Sequence, residues 1–140
     1  MTQVFISYSR RNLDYVEQLA RDLRKTGLVV WYDLSELEGG SRWGSEIQDA
    51  IRASHYFLVV LSPQSVGSEW VEREFLFASN CKVKIIPILY QLCELPMWSL
   101  NLHYVDLQRK NYSRNFRELL KVLHEGRPLL PAENWAVEKH

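Results

Sequence analysis

Trp70 and Glu74 stand four residues apart in Ser68-Glu69-Trp70-Val71-Glu72-Arg73-Glu74, a segment introduced by a serine that reads as the opening of a helix. On a helix that spacing puts ring and carboxylate on one face, one turn apart. An indole so placed can stack on a pyridinium or an adenine while the carboxylate meets a ribose. Conventional glycoside hydrolysis uses two carboxylates, because the departing alkoxide must be protonated. A group that departs as a neutral molecule from an already cationic ring needs no such acid. The remaining task is to stabilise an oxocarbenium-like sugar, for which one preorganised carboxylate supplies about 3–4 kcal/mol. Glu69 and Glu72 compete for the role. A helix turns about 100° per residue, so Glu72 points away from Trp70, and Glu69, in the first turn, complements the helix dipole. The plain alternative for Glu74 is a solvated helix glutamate.

The elements that must carry these residues follow from the apolar pattern. Val4-Phe5-Ile6-Ser7-Tyr8 is short, β-branched and aromatic, as a buried strand is. Asn12 reads as the cap of a helix whose stripe is Leu13, Val16, Leu19, Ala20 and Leu23, ended by Gly27 at its C′ position. Leu28 to Tyr32 is a second strand, followed by a loop from Asp33 to Arg42 and a helix over about Trp43 to Ala53 with Ile47 and Ile51 at i, i+4. Tyr56 to Leu61 is apolar on both faces, the mark of a central strand covered on both sides, and Ser62-Pro63 closes it. Ser68 caps a third helix to about Ser79, and Val83 to Leu89 is a fourth strand in which Pro87 belongs near the end or beside a bulge. A weak fifth strand at His103-Tyr104-Val105 and a helix carrying Phe116, Leu119, Leu120 and Leu123 complete the order. Strands alternating with helices imply right-handed crossovers and a parallel sheet. The expected fold is an α/β, three-layer flavodoxin-like sandwich: a five-stranded parallel sheet in the order 2-1-3-4-5, flanked by helices. Ligands of such folds bind beyond the carboxyl ends of the strands, here the loops after Tyr8, Tyr32 and Leu61. One domain is expected over 1–125, with 126–140 a tail or linker.

Several chemistries are excluded by residue type. No G-x-G-x-x-G follows the first strand and no G-x-x-x-x-G-K-[ST] occurs, which removes the Rossmann and Walker phosphate sites. A phospho-receiver needs acids after strand one and an Asp after strand three, where this chain has Tyr8-Ser9 and Ser62-Pro63. G-x-S-x-G is missing although His103 and His124 are present, so a serine hydrolase is unsupported. An FMN electron carrier fits the fold but would want a Ser/Thr-rich phosphate loop after strand one. Cys81 and Cys93 form no C-x-x-C pair, so no zinc site is expected and both should be reduced thiols. Lys plus Arg and Asp plus Glu number 17 each over 140 residues, leaving no global field for nucleic acid or an anionic membrane. The longest apolar run is far short of the about 20 residues of a membrane span, and no secretory h-region opens the chain, so a cytoplasmic location is expected.

Four pieces in order, Val4-Phe5-Ile6-Ser7-Tyr8-Ser9, Trp31-Tyr32-Asp33 with Glu38-Gly39-Gly40-Ser41-Arg42-Trp43, Leu58-Val59-Val60-Leu61-Ser62-Pro63, and Ser68-x-Trp70-x-x-x-Glu74, resemble the Toll/interleukin-1 receptor (TIR) domain family over about Val4 to Leu123, and the bacterial members most. They correspond to that family's first-strand box, its second strand with the mobile BB loop, its third strand and the start of its third helix. The BB loop has Gly39-Gly40 where many immune-receptor members have Pro-Gly.

The resemblance implies cleavage of NAD⁺ at the nicotinamide–ribose bond, to ADP-ribose or a cyclic isomer, in bacterial defence or cell-death signalling, with NAD⁺ as substrate and no cofactor. It places the catalytic carboxylate at Glu74 and substrate contacts at Tyr8, Ser9, Arg10, Asp33, Glu38, Gly39, Gly40, Arg42, Trp43 and Trp70. By that resemblance Arg10 pairs with the pyrophosphate; it is equally read as a surface charge beside a helix start. Trp43 has a second reading as a core residue of its helix, and Asp33 as a turn cap. The family also implies activation by self-assembly, the BB loop of one subunit reaching the next in a homo-oligomer or filament. Many eukaryotic members are non-enzymatic TIR–TIR interaction modules, the alternative function.

Overall fold

The apolar runs become strands of one sheet. The computed structural model describes residues 1–33 and 43–127, and for Trp43 the backbone alone. Strands β1 (Gln3–Ser7), β2 (Val29–Tyr32), β3 (Tyr56–Leu61), β4 (Lys84–Leu89) and β5 (Val105–Asp106) pair in parallel in the order β2-β1-β3-β4-β5. Helices α1 (Leu13–Arg24), α2 (Trp43–Ala53) and α3 (Glu69–Asn80) connect successive strands, and α4 (Tyr112–Glu125) follows β5. This is the expected flavodoxin-like sandwich. Glu38, Gly39, Gly40 and Arg42 lie outside the described residues, as does the tail beyond Arg127. Among the described residues no helix is long and apolar enough to cross a membrane.

Alternation along the strands builds two apolar layers. Val4, Ile6 and Tyr8 join Leu58, Val60, Ile86 and Ile88 beneath α1 and α4, while Phe5, Phe57, Val59 and Leu61 meet Ile47 and Ile51 of α2 and Val71, Phe75 and Ala78 of α3. All six residues of β3 are buried, as a strand with helices on both faces requires. Phe5 stacks on Trp31 at 5.3 Å and on Phe57 at 5.6 Å, tying three strands together under α2 and α3.

Four local expectations are corrected. Asn12 precedes α1 but does not cap it with its side chain; its amide is buried and accepts from Ser62 Oγ (2.7 Å) and donates to Gln64 Oε1 (3.3 Å). Capping falls instead to Ser9, whose Oγ accepts from Arg11 N at the head of a 3-10 turn over Arg10–Asn12. Gly27, at φ +95°, lies one residue beyond C′, because α1 ends at Arg24 and two further turn bonds, from Thr26 and Gly27, extend it. Pro87 sits inside β4 opposite Val59, not at its end. The strand tolerates it because β5 begins pairing only at Ile88, so at Pro87 one side of β4 has no ladder to break. Finally, β5 is shifted to Val105–Asp106, where the Asp106 carboxylate accepts from Gln108 N and Asn111 Nδ2 and turns the chain toward α4.

Candidate functional site

Ser68 fixes the frame of the helix on which the site is built. Its backbone is extended (φ −87°, ψ 119°) and its Oγ accepts from Val71 N at 3.2 Å, so α3 starts where the sequence indicates. Val71, Phe75 and Ala78 then face the sheet. That phase leaves Glu69, Glu72 and Arg73 exposed and carries Glu74 inward, to 5 % exposure. A carboxylate so deeply placed on an otherwise amphipathic helix is not a solvated surface group. Its Oε1 accepts a 2.6 Å hydrogen bond from Ser7 Oγ, at the carboxyl end of β1, a residue with no exposed surface.

A cleft of about 220 Å³ opens between α2 and α3 beside this carboxylate. Trp70, Glu74 and Phe77 form one wall and Ile47 and Ile51 the other, with Gln48 and Arg73 also on its lining. Arg52 of α2 lies over the Phe77 ring of α3 at 5.1 Å, bridging the two helices, and also pairs with Asp49 of its own helix at 3.0 Å. The result is an aromatic and aliphatic slot with, among the described residues, one acid on its wall: a place for a flat heteroaromatic ring, and a carboxylate for the sugar attached to it.

The family model for the TIR domain matches residues 4–120. The chain belongs to the TIR family. Among curated relatives, this TIR domain is 33% identical over 94 residues to the NAD(+) hydrolase PdTIR of Paracoccus denitrificans, covering 64% of this chain and 31% of that protein. It is 30% identical over 127 residues to the 2′ cyclic ADP-D-ribose synthase AbTIR of Acinetobacter baumannii, covering 87% of this chain and 46% of that one. The chain thus spans a third to a half of the length of these relatives. Among solved structures, the TIR domain of the Toll-related receptor TRR-2 from Hydra magnipapillata superposes with a TM-score of 0.73 at 24% identity, over 86% of this chain and 96% of that one, a likeness of fold.

Within the TIR domain, the residues singled out from sequence divide into two groups. Trp70 and Glu74 share the cleft. Tyr8, Ser9, Arg10 and Asp33 lie at the same end of the sheet but not on the cleft wall. One step along β1 from Ser7 turns Tyr8 to the opposite face, where its ring is buried edge-on to Tyr32 and its hydroxyl donates to the Asp33 carbonyl at 2.7 Å. Burial, and next the Asp33 carboxylate, push that hydroxyl well above the ordinary tyrosine range, so it stays a donor. Ser9 and the exposed Arg10 form the turn that follows. Trp43 opens α2. Sequence reasoning missed Ser7, Phe77 and Arg73. Phe77 had a signal, lying seven residues from Trp70 and three from Glu74 on one helical face. Ser7 had a fainter one, as the polar residue two beyond Phe5 on the same strand face.

Proposed function

We propose that this TIR domain cleaves NAD⁺ at the bond between nicotinamide and ribose, with Glu74 as the catalytic carboxylate and Trp70 as the platform for the base. The observation that carries the reading is the buried Glu74 carboxylate on the wall of an aromatic cleft, one turn from that indole. In the reaction the C1′–N bond breaks and its electron pair leaves with nicotinamide, which departs neutral. The positive charge passes to C1′ and O4′ of the ribose, next to the carboxylate. Water then adds at C1′ and releases a proton, giving ADP-ribose; a hydroxyl of the distal adenosine ribose adding in its place gives a cyclic isomer. The names of PdTIR and AbTIR, a hydrolase and a cyclic ADP-ribose synthase, support both outcomes as chemistry of related domains. The slot suits the first step: its apolar walls exclude water from the departing ring, and in that dry setting one carboxylate contributes about 3–4 kcal/mol to the transition state.

Activity in this reading requires assembly with further TIR domains through the loop between β2 and α2, and takes place in the cytoplasm as part of a defence or cell-death response. The test is nicotinamide release from NAD⁺ by dilute and by clustered protein, with Glu74→Ala beside the wild type. Release that rises with clustering and is lost in Glu74→Ala is the expected result. No release under clustering would leave the domain an interaction module.

A further inference from the structure

We infer that Ser7 is the positioning residue of the catalytic carboxylate: its hydroxyl, donated from the end of β1, selects the one orientation of Glu74 that faces the cleft productively. This rests on the proposed cleavage of NAD⁺. Packing fixes the helix through Val71, Phe75 and Ala78, but it does not fix a carboxylate at the end of a glutamate side chain, which has rotamer freedom worth up to about 2 kcal/mol. The 2.6 Å bond from Ser7 to Oε1 constrains that carboxylate directly, with the short distance of a hydroxyl bound to a charged acceptor.

The donor itself stands on rigid backbone. Ser7 aligns with Val59 of β3. Two residues before it, Phe5 is clamped between the rings of Trp31 and Phe57. Two residues before that, Gln3 donates from Nε2 to the Ala50 carbonyl (3.2 Å) and Ser54 Oγ (3.1 Å) of the α2 side. The face of β1 that looks toward α2 and α3 therefore carries an amide tied to one helix, a clamped ring, and a hydroxyl tied to the acid of the other. A hydroxyl with no exposed surface at the rim of the sheet, 67 residues away in sequence from its partner, is a costly way merely to fill space, since an alanine and an apolar helix residue would do that without a polar group to satisfy.

The experiment compares wild type, Ser7→Ala, Ser7→Thr and Glu74→Gln in full NAD⁺ kinetics under clustering, with thermal melting of each. Ser7→Ala should lower kcat about ten- to hundredfold, the cost of a reacting group displaced by about an ångström, with KM changed less than about threefold. Ser7→Thr, which keeps the hydroxyl, should recover most of kcat. A Ser7→Ala protein that melts lower yet turns over like wild type shows a structural tie only and overturns the inference, as does a Ser7→Thr protein with wild-type melting and no recovery. Wild type without turnover, indistinguishable from Glu74→Gln, removes the proposed function itself and this inference with it; wild type active with Ser7→Ala unimpaired removes only the inference.

Discussion

Raising the pH beyond the ordinary tyrosine range will unfold this domain steeply, because three tyrosine hydroxyls hold their protons in the folded state. Tyr8, Tyr15 and Tyr112 are each pushed up, first by burial and then, respectively, by the Asp33 carboxylate, by the neighbouring Tyr90, and by the hydrogen bond to Asp22. In the unfolded chain all three titrate near their usual value of about 10. A raised folded-state pKa gives stability that is complete below the unfolded value and is lost as pH climbs toward the folded one. In that window the folded state binds up to three protons more than the unfolded state. Each contributes up to about 1.4 kcal/mol per pH unit once the unfolded chain is ionised, so the loss of stability should steepen from about 2 kcal/mol per unit at about pH 10 to about 4 kcal/mol per unit at about pH 11. Against a total of about 5–15 kcal/mol, the domain should be unfolded within roughly one to four pH units. Urea melts at about pH 8, 10 and 11 measure the slope directly. Tyr112→Phe, which removes the 2.7 Å bond to Asp22, should lower stability at neutral pH by about 1.5–3 kcal/mol but flatten the alkaline slope by about a third. The difference spectrum between wild type and Tyr112→Phe should show that phenolate appearing only as the protein unfolds. Ionisation of Tyr112 near its ordinary value in protein that is still folded would refute the reasoning.

Trp70→Ala should raise KM for NAD⁺ about tenfold or more while leaving the melting temperature within a few degrees, since the indole is half-buried and lines the slot; a change in kcat alone would argue against a stacking role. Glu69→Gln and Glu72→Gln should each turn over NAD⁺ within about twofold of wild type, because both side chains are exposed and turned from the cleft, and a large loss in either would reassign the acid.

The parts of this protein legible in its sequence are those set by period and by strong local chemistry. The unbroken apolar run of β3 announced a central strand, and Ser68 announced the start of α3, which in turn fixed the phase that brings Trp70 and Glu74 together. What could not be read depends on partners distant in the chain. The phase of α3 turns Glu74 inward, but the hydroxyl that meets it there belongs to Ser7, 67 residues away, a partner no helical period encodes. Asn12 looked like a cap because asparagine caps helices, but Ser62 at the end of β3 offers its amide a buried partner that local sequence does not reveal. Pro87 reads from sequence as a residue for a strand end or a bulge, and only the short β5, pairing with β4 at Ile88 and Leu89, explains how it sits within the ladder to β3. The wall of Ile47 and Ile51 was visible as an i, i+4 pair, but which helix it faced was a matter of tertiary packing.

Glu74→Gln keeps the shape of the side chain and an oxygen to accept from Ser7, removing only the charge, so it isolates what the carboxylate does to a departing nicotinamide. Clustered wild-type and Glu74→Gln proteins, incubated with NAD⁺ and compared by chromatographic separation of nicotinamide, ADP-ribose and cyclic products, should differ by at least about a hundredfold in turnover with closely similar melting temperatures. Equal turnover by the two proteins would contradict the assignment of Glu74.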